Sequence, residues 1–60
     1  MNLVKYSDNP EAYLNMDFIE SVTKQAYENY VCFVNRNTEP YYISKSAYDT
    51  ILAYGKAKVQ

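Results

Sequence analysis

The sequence contains no histidine, one cysteine and one glycine, and each shortage excludes a kind of site. Cys32 has no partner for a disulfide within the chain, and a zinc cluster needs more Cys or His ligands than are present. Gly55 alone cannot form a glycine-rich phosphate loop. General acid–base catalysis at neutral pH most often uses His, which is missing. We therefore predict no enzymatic activity, no cofactor and no metal site.

Long apolar runs are also missing, which bears on where the protein works. No run approaches the roughly 18 residues of a membrane span, and Lys5 is not followed by the apolar segment of a signal peptide. A single unpaired cysteine is typical of a reducing compartment. We expect a cytoplasmic protein with no membrane association, encoded by a complete small reading frame. Its richness in Tyr, Asn, Lys and Ile, which have AT-rich codons, indicates a bacterial, phage or plasmid origin.

The length of 60 residues predicts one domain, residues 1–60, with little margin of stability. A chain this short buries only about 60% of its unfolded surface. Self-association is one common way in which small domains gain the missing stability. We therefore expect a homodimer. The formal net charge is -1, with six acidic and three basic side chains in residues 1–39 and one acidic and three basic side chains in residues 40–60. Neither part has the strongly basic balance of a nucleic-acid-binding domain.

Residues 30–34, Y-V-C-F-V, form the most apolar stretch of the chain. Both alternating sets are apolar, and a strand that is apolar on both faces belongs in the middle of a covered sheet. Phe33 is then a core residue, and we predict that Phe33→Ala unfolds the protein, because losing a buried Phe costs about 3–5 kcal/mol.

The remaining segments predict an α+β fold: a small antiparallel sheet of four or five strands with one C-terminal helix packed on one face. The strands form an N-terminal hairpin (residues 1–15) and a three-stranded meander (18–44), in which Asp17 caps a short helical turn over residues 18–20 and residues 35–38 form a turn. The helix covers residues 45–55. Either Ser44 or Ser46 begins it and Gly55 suits its end, after which residues 56–60 form a frayed tail. The predicted core consists of Leu3 or Val4, Leu14, Ile19, Val22, Val31, Phe33, Ile43, Ala47, Tyr48, Ile51 and Leu52.

Few residues suggest chemistry. The pairs Asp8 with Glu11 and Asp17 with Glu20 lie in turn-like sequence, where acidic residues are ordinary. Ser44-Lys45-Ser46 is not a Ser–Lys nucleophile arrangement, since sequence neighbours do not face each other on a helix. Cys32 has no nearby base and is interpreted as a buried, unreactive thiol.

Tyrosine is the main compositional signal, with eight in 60 residues. Surplus tyrosines can cover the open face of a thin sheet, anchor a protein interface, or stack on bases. Tyr41 and Tyr42 must point to opposite faces of a regular strand, so one of them faces away from the helix. The candidate partner-binding residues are Tyr13, Tyr41, Tyr42 and Tyr54.

Residues 13–22, Y-L-N-M-D-F-I-E-S-V, resemble the L-N-x-D-x-I-E-x-I opening of small flagellar proteins of the FlbD/SwrD type. The order of elements over about two thirds of the chain is also similar to the β-meander of LytTR-type DNA-binding domains. The resemblance implies the fold order, and no functional residues are carried across. Here Asn35-Arg36-Asn37-Thr38 replaces the Asn-Gly turn of that strand connection, and the basic loops of a LytTR-type reader are missing.

Size, the absence of a catalytic constellation and surplus tyrosine together predict a non-enzymatic protein-interaction module. It would be a small adaptor or inhibitor that binds a protein partner through a tyrosine-rich sheet surface. The alternative is a nucleic-acid-binding regulator with a LytTR-like or sheet-stacking mode. The two hypotheses differ in one measurable property: a protein that contacts nucleic-acid phosphates loses affinity for the nucleic acid steeply as the salt concentration rises.

Overall fold

A computed structural model of the chain describes residues 2–35 and 37–60. The predicted α+β fold is confirmed: one helix and two sheets, in which all strand pairings but one are antiparallel. In chain order the elements are β1 (Leu3–Asp8), β2 (Glu11–Asn15), a 3-10 turn (Met16–Phe18), β3 (Ser21–Gln25), a second 3-10 turn (Ala26–Glu28), β4 (Asn29–Phe33), β5 (Tyr41–Ile43), α1 (Lys45–Tyr54) and β6 (Lys58–Val59).

The N-terminal hairpin forms where the sequence predicts it, but it is a sheet of its own. β1 and β2 pair antiparallel across a turn at Asn9 and Pro10, and the register shifts between Lys5 and Ser7. The Lys5 ammonium lies 3.1 Å from a carboxylate oxygen of Asp8 and 3.4 Å from one of Glu11. The Lys5 ammonium therefore lies within ion-pair distance of both acidic side chains, which flank the turn of the hairpin.

The meander is confirmed, with β4 in the middle of the larger sheet. The strand order is β5-β4-β3-β6, and β4 pairs antiparallel with both β3 and β5. Val31 and Cys32 are fully buried, as expected for a central strand that is apolar on both faces. Phe33 is only half-buried. Its truncation should therefore cost less than a full core residue, and the prediction that Phe33→Ala unfolds the protein is not supported.

The C-terminal segment departs from the prediction of a frayed tail. Lys58 and Val59 form β6, which pairs parallel with β3. The Lys58 amide donates to the Glu20 carbonyl at 3.0 Å, and the Gln60 amide donates to the Val22 carbonyl at 2.9 Å. Two residues are too few to show an alternating pattern, so only the pairing with a distant strand reveals them.

Two short turns differ from or extend the prediction. The first 3-10 turn begins at Asn15, whose side-chain oxygen accepts from the Asp17 amide at 2.9 Å, so Asn15 and not Asp17 is its cap. In the turn predicted at residues 35–38, the Asn35 side chain accepts from the Asn37 amide at 2.8 Å. Arg36 of that turn, like Met1, lies outside the described residues.

The helix α1 begins and ends at local signals in its sequence. The Ser44 hydroxyl accepts from the Ala47 amide at 3.1 Å, so Ser44, of the two candidates, is the cap. Gly55 ends the helix in the left-handed conformation, with φ of 86°, which glycine adopts without steric cost. No helix in the described ranges is long and apolar enough to cross a membrane.

The core lies where the helix and the hairpin meet one face of the larger sheet. Its buried members are Val4, Met16, Ile19, Val22, Tyr30, Cys32, Ile43, Ala47 and Ile51. Leu14 and Tyr48 are partly buried against this cluster. Leu52 was wrongly predicted as core and is 37% exposed, because Ala47 and Ile51, four residues apart, define the buried stripe of α1. Of the alternatives Leu3 and Val4, the structure buries Val4.

Candidate interaction surface

The larger sheet has an inner face, covered by α1 and the hairpin, and an outer face. Successive residues of a strand point to opposite sides, and paired residues share a side. Tyr30 and Cys32 belong to the core cluster, which places them on the inner face. The register then assigns the outer face, which consists of Ser21, Thr23, Gln25, Asn29, Val31, Phe33, Tyr42 and Lys58. No outer-face residue belongs to the core cluster of the described chain.

The middle of the outer face is apolar. Val31 is fully buried and is flanked in register by Thr23 on β3 and Tyr42 on β5. Tyr42 is 68% exposed. A β-branched and an aromatic residue side by side form a favourable cross-strand pair. The outer face therefore presents a tyrosine ring beside a buried valine.

One end of the outer face is hollow. An open depression of about 410 Å³ is lined by Glu20, Ser21, Phe33, Lys58 and Gln60. It exists because β6 pairs with the start of β3, which brings Lys58 beside Ser21 and opposite the end of β4. A site that combines residues 20, 33 and 58 could not be predicted from local sequence patterns.

The four candidate tyrosines are not brought together. Tyr42 lies on the outer face, whereas Tyr41 is paired with Cys32 and therefore lies on the inner side. The Tyr41 ring meets Tyr6 edge-to-face, with ring centroids 5.5 Å apart. Tyr13 is half exposed on the hairpin, and Tyr54 is partly buried at the end of α1. The predicted divergence of Tyr41 and Tyr42 is confirmed, and the open sheet surface carries only one of the four.

A second feature, the Asp17 cluster, comprises Asn2, Asp17, Tyr54 and Lys56. One Asp17 oxygen accepts from the Tyr54 hydroxyl at 2.5 Å and from the Lys56 ammonium at 2.9 Å. The other accepts from the Asn2 amide at 3.1 Å. These bonds, above all that from Tyr54, hold the pKa of the Asp17 carboxyl well below its ordinary value. The same bond raises the pKa of Tyr54.

A third feature is the turn between β3 and β4. Tyr27 and Glu28 both have positive φ, 61° and 57°, a conformation that residues with a Cβ rarely adopt. Tyr27 is 96% exposed. The sequence predicted a connection at residues 26–29 but not the positive φ of these two residues, because neither is a Gly or Asn, the types that usually mark such a conformation.

The part of the chain that the structure describes offers few titratable groups arranged for metal binding or nucleophilic reaction. It contains no group of three or more Cys, Asp or Glu side chains arranged to hold a metal ion. Burial raises the pKa of the Cys32 thiol to about 11, so the thiol stays protonated at neutral pH. Cys32 is therefore a poor nucleophile in the folded protein.

No family model, curated protein or solved structure matches the chain. The resemblance of residues 13–22 to FlbD/SwrD-type proteins and that of the β-meander to LytTR-type domains stay predictions. The function is therefore inferred from the outer face, the depression and the distribution of charge.

Proposed function

We propose that the protein is a small non-enzymatic interaction module, an adaptor or inhibitor, that binds a protein partner through its outer face. The observation that carries this proposal is the pairing of Val31 with Tyr42 on the sheet face opposite the core, where the tyrosine is 68% exposed. Tyrosine is enriched at protein interfaces because it combines a large apolar ring with a hydroxyl group. Tyr42 is the proposed anchor.

The dimensions of the protein support a single docking surface. A standard interface buries about 800 Å² on each partner. The whole protein has an accessible surface of 4308 Å² and extends 25 × 23 × 23 Å, so an interface of that size would use most of one side. The proposed interface therefore includes the rim of the outer face as well as Tyr42.

The proposed setting is the cytoplasm of a bacterium, in which the gene is chromosomal or carried by a phage or plasmid. A buried, protonated Cys32 is compatible with a reducing compartment. A second copy of the chain is one protein that the outer face could bind, which would give the homodimer expected from the small size.

The test is site-specific photo-crosslinking in cells of the natural host. A benzoylphenylalanine replaces Tyr42 in one variant and Tyr13 in a matched control, since Tyr13 is also well exposed but lies on the hairpin. We expect a discrete protein adduct from position 42 and none of that mass from position 13. An adduct of twice the chain mass would identify the partner as a second copy.

Two results would contradict the proposal. The first is an absence of adducts at position 42, and the second is the same adducts from both positions. Nuclease treatment addresses the nucleic-acid alternative, in which Tyr42 stacks on bases. Adducts that disappear with nuclease, together with binding to single-stranded DNA that weakens steeply with salt, would favour that alternative.

A further inference from the structure

We propose that the edge of β2 that faces away from β1, the β2 edge, pairs with the β2 edge of a second copy of this chain. The two hairpins then join into one antiparallel sheet in the order β1-β2-β2-β1. This surface is separate from the outer face of the larger sheet, which stays available to the protein partner proposed above. The proposal does not depend on the existence of that partner.

The backbone groups in the middle of β2 point away from β1. The Met16 amide donates to the Asn2 carbonyl at 2.8 Å, so these two residues form a hydrogen-bonded pair of the hairpin. Hydrogen-bonded and non-hydrogen-bonded pairs alternate along an antiparallel ladder. The register therefore places Leu14 in the next hydrogen-bonded pair and Tyr13 in a non-hydrogen-bonded pair. The N–H and C=O of Tyr13 are thus directed to the β2 edge.

The β2 edge is accessible and lacks the usual protection against pairing. In the described ranges β2 pairs with β1 alone, and none of its five residues, Glu11–Asn15, is buried. Proteins commonly protect their sheet edges by short strands, proline or lysine. β6 has two residues, one of them Lys58, and β5 has three residues directly after Pro40. β2 is longer than both strands and contains neither residue type.

A two-fold axis at Tyr13 pairs all five residues of β2 with compatible residues of the second copy. Tyr13 of one copy lies opposite Tyr13 of the other, and the two residues exchange both backbone hydrogen bonds. On the side of the core, Ala12 lies opposite Leu14. Glu11 lies opposite Asn15, so no like charges face each other. Such an isologous contact is complete with two copies.

The hairpin face beside the β2 edge offers apolar surface to this contact. Leu3 and Tyr13 lie on the side away from the core, because Val4 and Leu14 occupy the core side. Leu3 is 47% exposed and Tyr13 is 50% exposed. A two-stranded hairpin is marginally stable by itself, whereas three or more strands with an apolar face are stable. A second copy supplies the strands that the hairpin lacks.

The first test is sedimentation velocity of the purified protein over a range of concentrations up to millimolar. We expect a reversible monomer–dimer equilibrium. Tyr13→Lys should weaken it about tenfold or more, because it replaces an aromatic pair by two like charges directly opposite each other. Tyr42→Lys makes the same change at an exposed tyrosine outside the β2 edge and should leave the equilibrium unchanged. Circular dichroism shows whether both variants are folded.

The second test measures the register through a disulfide. Directly opposite residues of a hydrogen-bonded pair have Cα atoms about 5.5 Å apart, a separation that a disulfide can span. Tyr13→Cys should therefore form a covalent dimer under mild oxidation at least about tenfold faster than Tyr42→Cys, whose cysteine is also exposed. The natural Cys32 is buried and does not compete.

Three results would overturn the proposal. They are a protein that stays monomeric at millimolar concentration, a dimer that Tyr13→Lys and Tyr42→Lys weaken equally, and equal rates of disulfide formation at positions 13 and 42. In the crosslinking experiment, the proposal places an adduct of twice the chain mass at position 13 and not at position 42. Because sedimentation and oxidation use the purified protein alone, their failure is distinguishable from failure to crosslink a partner at Tyr42.

Discussion

The Tyr54 hydroxyl donates a 2.5 Å hydrogen bond to the Asp17 carboxylate, across 37 positions of sequence. The bond joins the last turn of α1 to the 3-10 turn that follows the hairpin. Lys56 and Asn2 bond the same carboxylate, so Asp17 links the start of β1 to the approach to β6. In a chain of 60 residues, such a cluster stabilises the arrangement of helix and hairpin around the core.

Removing the Tyr54 hydroxyl should destabilise the protein. We expect Tyr54→Phe to lower the melting temperature by about 5 °C, because the ring stays and one charge-assisted hydrogen bond is lost. Tyr13→Phe is the matched control, since the Tyr13 hydroxyl makes no hydrogen bond among the described side chains, and it should melt like the wild type. Equal melting temperatures for both variants would show that the Asp17 cluster contributes nothing to stability.

The Asp17 cluster also predicts how stability depends on pH. The hydrogen bonds depress the pKa of Asp17 in the folded protein. Its contribution is therefore fully present above the unfolded pKa of about 4 and is lost as the pH falls below that value. Thermal melting between about pH 7 and about pH 2 should show a steeper loss for the wild type than for Asp17→Asn. Parallel curves for the two proteins would contradict this assignment.

Ile51 and Leu52, which are neighbours in α1, should contribute very differently to the free energy of unfolding. Ile51 is 1% exposed, so Ile51→Ala should cost about 2–5 kcal/mol, which is comparable with the whole stability of a domain this small. Leu52→Ala removes a similar volume from a position that is 37% exposed and should cost far less. Urea unfolding followed by circular dichroism measures both. A greater loss for Leu52→Ala would refute the assigned stripe of α1.

The turn between β3 and β4 offers a stabilising substitution. Glu28 has a φ of 57°, and glycine adopts this conformation without the steric cost that a Cβ imposes. We expect Glu28→Gly to stabilise the protein by about 1 kcal/mol, which raises the melting temperature by about 4–8 °C. Glu39→Gly is the control, because Glu39 has no positive φ, and it should melt no higher than the wild type. A lower melting temperature for Glu28→Gly would show that its backbone is not strained.

Cys32 should react only when the protein unfolds. The thiol is completely buried, and burial raises its pKa to about 11. Alkylation by iodoacetamide at neutral pH should therefore be at least about a hundredfold slower in buffer than in concentrated urea. Mass spectrometry of timed samples measures both rates. Rapid alkylation in buffer would indicate that β4 opens readily or is not central.

Local signals in the sequence determined much of the fold. The two-sided apolar pattern of residues 30–34 predicted the central strand, and the same alternation predicted that Tyr41 and Tyr42 diverge. Ser44 and Gly55 marked the ends of the helix, because caps act through hydrogen bonds and backbone conformations only a few residues away. The scarcity of Cys, His and Gly by itself restricted the chemistry available to the chain.

The tertiary structure decided which of those elements meet. β6 is recognisable only when it pairs with β3, and that pairing creates the depression between Glu20, Phe33 and Lys58. The Asp17 cluster joins residues that are 15 to 39 positions apart, and packing of α1 on one face left Tyr42 on the other. Periodicity shows that a strand has two faces, whereas only the placement of the helix and hairpin shows which face they bury.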